Sequence, residues 1–337
     1  MNICTSVGLN SFYVKVLYSI NKVEMMNKIY RFFSGLTLLL TCHIVVANTL
    51  IDLKELEANC YNNNWSKGDF LELKENKFFV ENKTQKKKLA LQLLNCLASP
   101  DPLIRDEVAF SALSQWLRSD SFSSKVYIEM FNSLSSSLNE PVNDIHGVYK
   151  PFVALVLAEV ARVDRKKPYL TQLQRKQLVE NTVNYFTSLR DYRGFNETYG
   201  WRHGIAHTAD LMLQLALNPE IDKPLLDKML VALRSQVVAH NQHFYIYGEP
   251  TRIALPVAYI FLRNQHSVDD WQNWLKALTS PEPFNSWNDV YKSQQGLSKR
   301  HNSQAFLYAL YGKIKQSKNN VLASMIPALE NTIKTIN

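Results

Sequence analysis

The stretch YGWRHGIAHTADLMLQLAL, residues 199–217, predicts one amphipathic helix with a narrow polar face. Its polar side chains recur at helical spacing and share one stripe of the surface: His203, His207, Asp210 and Gln214. Apolar residues such as Ile205, Met212 and Leu213 cover most of the rest. We therefore expect the helix to pack its apolar surface against neighbours and to turn the stripe toward a polar cleft.

Helical patterns continue on both sides of this stretch, and no convincing strand or hairpin pattern interrupts them. Val148 to Val163 is apolar nearly all round, which predicts a central, buried helix. Glu159 lies on its apolar stripe, so the carboxylate needs either an ion-pair partner on a neighbouring helix or a role in a site. Polar caps mark the starts of further helices at Asp101, Thr171, Asp222 and Ser267.

These helices, about ten with short links, predict an all-α fold in which helix pairs stack on neighbouring pairs. Their spacing, about 40 residues per pair, is typical of HEAT-type repeats. We expect a HEAT-like α-superhelix, or an α/α toroid closed by the same pairs. The sequence contains only 10 Gly and 12 Pro and shows no internal boundary, so residues 48–337 are predicted to form a single all-α domain.

The N-terminal region has the pattern of a secretory signal peptide over residues 25–47. Lys28 and Arg31 supply its basic part, and an apolar run follows that ends in the small-residue cleavage site Val45-Val46-Ala47. We expect cleavage after the alanine, and we interpret residues 1–24 as a start assigned too far upstream. The mature chain is then exported, either to the periplasm or out of the cell.

The charge and cysteine content narrow the classes of partner. Removing residues 1–47 takes away four of the 38 basic and one of the 30 acidic residues, which leaves a net charge of +5. This charge is mild and spread out, so no nucleic-acid partner is indicated. No apolar run in the mature chain reaches the roughly 20 residues that a membrane span needs.

The mature chain has two cysteines, Cys60 and Cys96. They would meet in an oxidising compartment, which favours a disulfide over two buried free thiols.

A family resemblance comes from four stretches: DYRGF at 191–195, GWRHGIAHTADLMLQLA at 200–216, RDEVAFSAL at 105–113 and FLYALY at 306–311. Together they resemble a bacterial family known as domain of unknown function 2785, over roughly residues 70–335. The resemblance implies a helical architecture and a shared site, but no reaction. The positions that it implies for the site are Arg105, Asp106, Asp191, Arg193, Gly194, Trp201, His203, His207, Asp210, Glu249 and Arg252.

One interpretation of the stripe is a metal site. Three side chains would bind a divalent cation that activates water for hydrolysis: His203, His207 and Asp210. Glu249 or Glu159 would complete the shell. Against this reading, residue 204 is Gly, so the HExxH signature is absent, and Thr208 rather than Asp follows the second histidine. No Ser nucleophile elbow, P-loop or dinucleotide fingerprint is present either.

Two further interpretations need no metal. The stripe could line a groove for a small ligand or peptide, with Tyr199 and Trp201 as flat apolar walls. Alternatively, the histidines could be structural, hydrogen-bonded to backbone or to carboxylates such as Asp106 and Asp191, and fix how helices pack. If Arg193 and Arg252 face the same groove, the ligand should be anionic.

We expect an exported, uncharacterised helical protein that acts as a binding or scaffold module, with its polar cleft around His203, His207 and Asp210. The alternative is a metal-dependent hydrolase of a small anionic or peptide substrate. The sequence does not decide between an enzyme and a binding protein. A divalent metal is the one cofactor that it suggests.

Overall fold

The structure is a computed structural model, and it describes residues 50–62 and 64–336. The signal peptide predicted at 25–47 and the upstream residues 1–24 lie outside these ranges. Within them, no helix combines the length and the apolar character that crossing a membrane requires.

Helices make up nearly all of the regular structure. The α-helices in chain order are α1 (Leu53–Cys60), α2 (Lys67–Glu75), α3 (Lys83–Leu93), α4 (Ser111–Arg118), α5 (Ser124–Asn139), α6 (Tyr149–Lys166), α7 (Gln172–Ser188), α8 (Gly204–Ala216), α9 (Lys223–Ser235), α10 (Glu249–Leu262), α11 (Val268–Leu278), α12 (Gln294–Gln316), α13 (Asn320–Ala323) and α14 (Ile326–Ile336). A π-helical segment, Leu103–Phe110, leads directly into α4, and 3₁₀ turns cover Asn95–Ala98 and Trp287–Lys292. A single antiparallel hairpin pairs β1 (Phe195–Asn196) with β2 (Gly200–Trp201). The all-α fold class is confirmed.

The helices pack in two rows of alternate elements. Helices α6, α8, α10 and α12 contact one another in succession, while α5, α7 and α9 form a second succession beside them. Helix α8, which carries most of the predicted polar stripe, therefore packs between α6 and α10. Both neighbours reach the stripe, since Arg165 of α6 contacts Gln214 and Arg252 of α10 contacts Asp210.

Helix α6 is buried along most of its length, as its apolar sequence predicts. Val153, Val156 and Val160 have no solvent exposure. Glu159 on the same helix forms an ion pair with Arg118 of α4, whose Nε donates to the carboxylate at 2.9 Å. The predicted partner on a neighbouring helix is thus confirmed, and a charge that would otherwise be costly to bury is compensated.

The predicted caps are in place. The Asp101 carboxylate accepts the backbone N–H of Leu103 at 3.0 Å. Capping boxes begin α7 at Thr171 and α11 at Ser267, and the Asp222 side chain caps α9. Each acceptor satisfies an N–H of a first helical turn that has no intrahelical partner.

Two boundaries differ from the sequence-based expectation. The polar stretch after α1 has little helical periodicity, yet it contains α2, which starts at a capping box on Ser66 and buries Phe70 and Leu73. The helix predicted from Tyr199 begins only at Gly204, because the residues before it form the hairpin. The local capping contacts and the left-handed backbone positions outweigh the periodicity at these sites.

A disulfide joins Cys60, the last residue of α1, to Cys96 in the first 3₁₀ turn. Both cysteines are fully buried. The bond closes a loop with a sequence separation of 36 and ties the N-terminal helix to the segment that precedes the π-helix.

Candidate functional site

The segment between α7 and α8 contains the β1–β2 hairpin. Asn196 Oδ1 accepts the backbone N–H groups of Thr198 and Tyr199 at 2.9 and 3.0 Å, which forms the hairpin turn. Gly200 has φ +67°, and a Cβ atom there would lie 2.8 Å from Pro102 Cβ. Glycine therefore meets both requirements of this position, a left-handed backbone and a close approach to the π-helix.

Arg105 is fully buried and anchors the hairpin through a hydrogen bond to its backbone. Its two terminal nitrogens donate to the carbonyls of Ser99 at 2.9 Å and Tyr199 at 2.6 Å. Its Nε lies 2.7 Å from Asp106 Oδ1, and its guanidinium packs 4.6 Å from the Phe152 ring centroid. Burial raises the pKa of Asp106 to about 6, although Arg105 opposes that shift. This pair holds the site in place rather than facing a ligand.

His203 occupies a strained position directly before α8. Its φ is +54°, a left-handed conformation that costs a non-glycine residue about 1 kcal/mol or more. The imidazole stacks on Trp201, with ring centroids 4.8 Å apart and an interplanar angle of 22°. It is 8% exposed, whereas the tryptophan remains 39% exposed. Within the described part of the chain, its Nε2 is buried and has no hydrogen-bond partner.

Glu249 places a carboxylate oxygen near His203 Nε2. It begins α10 and is only 2% exposed. One carboxylate oxygen accepts the backbone N–H of Tyr247 at 2.9 Å, and the other lies 3.8 Å from His203 Nε2. Burial raises the pKa of this carboxyl. We call the four side chains at this place the histidine face: Trp201, His203, Tyr247 and Glu249.

His207 lies one turn deeper, with its ring centroid 5.8 Å from that of His203. Its Nδ1 faces the Pro151 carbonyl at 3.3 Å, and its ring packs edge-on against Phe152 at 5.1 Å. These contacts tie α8 to α6. His207 thus has the backbone contact that a packing role requires, while His203 lies at the edge of the surface.

Both imidazoles are uncharged at neutral pH. Burial, reinforced by the charge of Arg252, lowers the pKa of His203 to about 4. Burial also lowers the pKa of His207 to about 3, and the neighbouring His203 adds to the effect. A neutral imidazole offers one N–H donor and one lone-pair acceptor.

Asp210 is not available to a metal, because Arg252 of α10 forms an ion pair with its carboxylate. Among the described residues, no group of three His, Cys, Asp or Glu side chains could hold a metal ion. The structure therefore does not assemble the metal site predicted from His203, His207 and Asp210. Glu159, the proposed extra ligand, is instead bound to Arg118.

Asp191 and Arg193 form an ion pair with each other, away from the histidine face. The arginine Nε donates to Asp191 Oδ1 at 2.8 Å, and its Nη1 donates to the Ile145 carbonyl at 3.2 Å. Both line a cavity of about 230 Å³ that lies next to Gly204. Arg193 and Arg252 thus have different surroundings, so they do not face one groove, which was the condition for an anionic ligand there.

Sequence reasoning missed three residues that the structure places here. Tyr247 contacts the histidine face, with its ring edge-on to Trp201 at 5.8 Å. Arg202 and Lys150 line the 230 Å³ cavity. Arg202 lies inside the quoted GW-x-H stretch, so its position between two predicted site residues was the available signal. A larger cavity, about 730 Å³, lies far along the chain between Asn64 and Gln85 and contains none of the predicted site residues.

Comparison with known proteins gives one match. A family model described as "Protein of unknown function (DUF2785)" matches residues 134–311, more than half of the chain. Searches of the curated proteins and of the solved structures found no match. The matched range contains the whole histidine face and leaves out Arg105 and Asp106.

Proposed function

Since the chain belongs to the family described as "Protein of unknown function (DUF2785)", we propose a function from the geometry alone: it binds a neutral small molecule at the histidine face. The observation that supports this proposal is the pair of buried atoms His203 Nε2 and Glu249 Oε1, 3.8 Å apart, of which the first has no hydrogen-bond partner. A buried polar atom without a partner costs free energy that a ligand can recover.

The protonation states define what the ligand must supply. We assign the proton of the neutral His203 imidazole to Nδ1, which makes Nε2 a lone-pair acceptor beside a Glu249 oxygen that is also an acceptor. Two neighbouring ligand hydroxyls, or one amino group with two N–H bonds, would satisfy both atoms, because a single hydroxyl has only one proton to donate.

Trp201 defines the second requirement. One face of its indole stacks on His203, its edges contact Phe195 and Tyr247, and more than a third of the residue stays exposed. Aromatic walls beside a few placed polar groups are typical of small-molecule sites. A carbohydrate combines hydroxyl donors with an apolar ring face, so neutral sugars are the class that fits best.

The test is saturation-transfer NMR with a panel of neutral mono- and disaccharides. We expect transfer from the protein to at least one sugar, at least a tenfold loss of affinity in Trp201→Ala, and a similar loss in His203→Asn. Asparagine tolerates the left-handed backbone but has no atom at the place of Nε2. Tyr291→Ala, at an exposed aromatic away from the face, serves as the control. Equal binding by wild type and both variants would contradict the proposal.

A metal-dependent hydrolase finds no comparable support, because the described side chains do not converge on a cation. Elemental analysis of protein purified without a polyhistidine tag provides the check. We expect no stoichiometric zinc, iron or manganese. Metal that is present at one equivalent and is lost in His207→Ala would restore the hydrolase reading.

Export is the second part of the proposal. The signal-peptide pattern at 25–47 supports it, and so does a disulfide between Cys60 and Cys96, since disulfides persist in oxidising compartments. Fractionation of the producing cells, with N-terminal sequencing of the product, tests this. We expect a mature chain that begins at Asn48 outside the cytoplasm. A cytoplasmic product that retains residues 1–24 would overturn both the start-site and the export interpretations.

A further inference from the structure

Arg202 is a buried cation whose charge the described residues do not neutralise through a direct contact. The residue is 9% exposed, and its Nε is buried without a hydrogen-bond partner. Within residues 50–62 and 64–336, its guanidinium forms no hydrogen bond or ion pair, and its Cζ lies 5.7 Å from the centroid of the Tyr199 ring. Buried arginines are normally paired, so this one requires an explanation.

Arg202 lines the 230 Å³ cavity next to Gly204. Three other cations line the same cavity: Lys150, Arg190 and Arg193. Lys150 lies on α6, where burial lowers the pKa of its ammonium group, and that group lies 5.8 Å from the ring of Tyr185. The walls are therefore rich in positive charge.

The two carboxylates of this cavity are already engaged. Asp191 accepts from the guanidinium of Arg193, and Asp144 accepts the backbone N–H groups of Gly147 and Tyr149 at 2.7 Å each. Arg202 lies near enough to Asp191 to help lower the pKa of that carboxyl, but not within ion-pair distance. The net charge of the ionisable lining residues is positive, because four cations face two carboxylates.

The start of α8 adds to this field. Gly204, the first residue of that 13-residue helix, lines the cavity, and His203 before it provides no side-chain cap for the first turn. The first N–H groups of a helix have no intrahelical partner, and the helix dipole places partial positive charge there. An anion at this position would satisfy both the helix and the arginine.

We infer that this cavity binds a small molecule through an oxyanion, a phosphate or carboxylate group, held between Arg202, Lys150 and the first turn of α8. The volume of about 230 Å³ admits an inorganic ion or a small metabolite but no folded partner. The site is distinct from the histidine face and does not depend on it. None of the four residues of the histidine face lines the cavity, although Arg202 and Gly204 are their neighbours in sequence.

Isothermal titration calorimetry with inorganic phosphate and, separately, with succinate tests the inference at low ionic strength. We expect wild-type protein to bind at least one of them, and Arg202→Met and Lys150→Met to bind at least tenfold more weakly. Lys125→Gln, at an exposed lysine on α5, should bind like wild type. Binding of phosphate alone would assign a tetrahedral anion, and binding of succinate alone a carboxylate.

A melting curve in anion-free buffer separates a binding role from a structural one. Because Arg202 forms no ion pair within the described residues, Arg202→Met should keep or raise the wild-type melting temperature and lose the rise that phosphate or succinate produces. Wild type that binds neither anion, or variants that bind both as well as wild type, would overturn the inference. If Arg202→Met fails to fold, Lys150→Met, at a half-buried position, decides the question with the same two measurements.

Discussion

His203 Nε2 lies 3.8 Å from Glu249 Oε1, while the backbone N–H of Tyr247 donates to the second oxygen of the same carboxylate. One buried carboxylate thus positions the loop before α10 against the start of α8. The contact brings together residues 46 positions apart in sequence. It gives Glu249 a position beside His203, another of the site residues implied by the family resemblance.

Two substitutions of Glu249 distinguish the effect of its charge on stability from the effect of its hydrogen bond. Glutamine keeps an oxygen for the Tyr247 N–H and carries no charge, so Glu249→Gln should change the free energy of unfolding by less than about 1 kcal/mol. Alanine leaves that N–H unpaired and opens a space in a buried position, which should cost roughly 2–4 kcal/mol. Urea denaturation of both variants measures the difference. Equal destabilisation by the two would show that the negative charge itself is required.

The buried histidines predict a loss of stability in mild acid. Their folded-state pKa values, about 4 for His203 and about 3 for His207, lie below the ordinary value of 6.5. The unfolded chain therefore binds more protons between pH 6.5 and those values, so the free energy of unfolding should fall as the pH drops through this window. Asp106, Asp210 and Glu249 have raised pKa values and oppose the trend.

A variant isolates the contribution of His207 from these opposing groups. His207→Asn keeps a side-chain N–H near the Pro151 carbonyl but does not titrate. The gap in unfolding free energy between wild type and variant should shrink by roughly 1–3 kcal/mol from pH 7 to pH 4. Urea denaturation at each pH measures this gap, and a gap that stays constant would contradict the low pKa.

Arg105 should be among the residues whose loss costs most. Arg105→Met removes the donors to Ser99 and Tyr199 and leaves the Asp106 carboxylate without its cation. We expect a loss of about 3–5 kcal/mol in unfolding free energy. Lys67→Met, which breaks an exposed ion pair with Asp101, is the control and should cost at most about 1 kcal/mol. Similar losses in both variants would refute the structural role assigned to the buried arginine.

Gly200 should not tolerate a side chain. Its φ of +67° and the 2.8 Å approach of Pro102 Cβ predict that Gly200→Ala lowers the free energy of unfolding by roughly 1–3 kcal/mol. Gly312→Ala is the matched control, because that glycine lies within α12 and a Cβ there meets nothing within 4 Å. The control should stabilise by about 0.5–1 kcal/mol. Thermal melts of both variants provide the comparison.

The disulfide should contribute measurably to stability. For a loop with a sequence separation of 36, the chain-entropy model gives about 3–4 kcal/mol. A double Cys60→Ser, Cys96→Ser variant should lose about that much in urea denaturation. Peptide mapping of the unreduced protein should find Cys60 and Cys96 in one linked pair of peptides. Separate peptides in which both carry free thiols would contradict the bond.

The sequence predicts the helices well wherever one face is apolar. Val148 to Val163 has almost no polar face, so its central burial follows from composition alone, and the caps at Thr171 and Ser267 have unambiguous patterns. Helix α2 was not predicted because its two buried apolar residues, Phe70 and Leu73, are too few to show a helical period among charged residues. The hairpin escapes because strands of two residues are too short to alternate.

The structure brings part of the predicted set of residues together and pairs other members with partners that were not predicted. His203 and His207 do face each other, since the spacing of four residues survives the change from helix to turn at the first of them. Asp210 shares their helix, but its partner Arg252 comes from α10, and spacing along one helix carries no information about that contact. The lack of an ion-pair partner for Arg202 among the described residues likewise depends on the folded arrangement and cannot be read from the linear sequence.

The π-helix at Leu103–Phe110 has a consequence for insertions and deletions in this chain. Its i to i+5 pattern holds one more residue in each turn than an ordinary α-helix would. Deleting a single residue after Arg105, such as Glu107, would either remove the wide turn or rotate the guanidinium relative to α4, by about 100° per residue in an α-helix. The hairpin would then lose its anchor although every helix remained, so the site depends on the length of this segment as strictly as on its side chains.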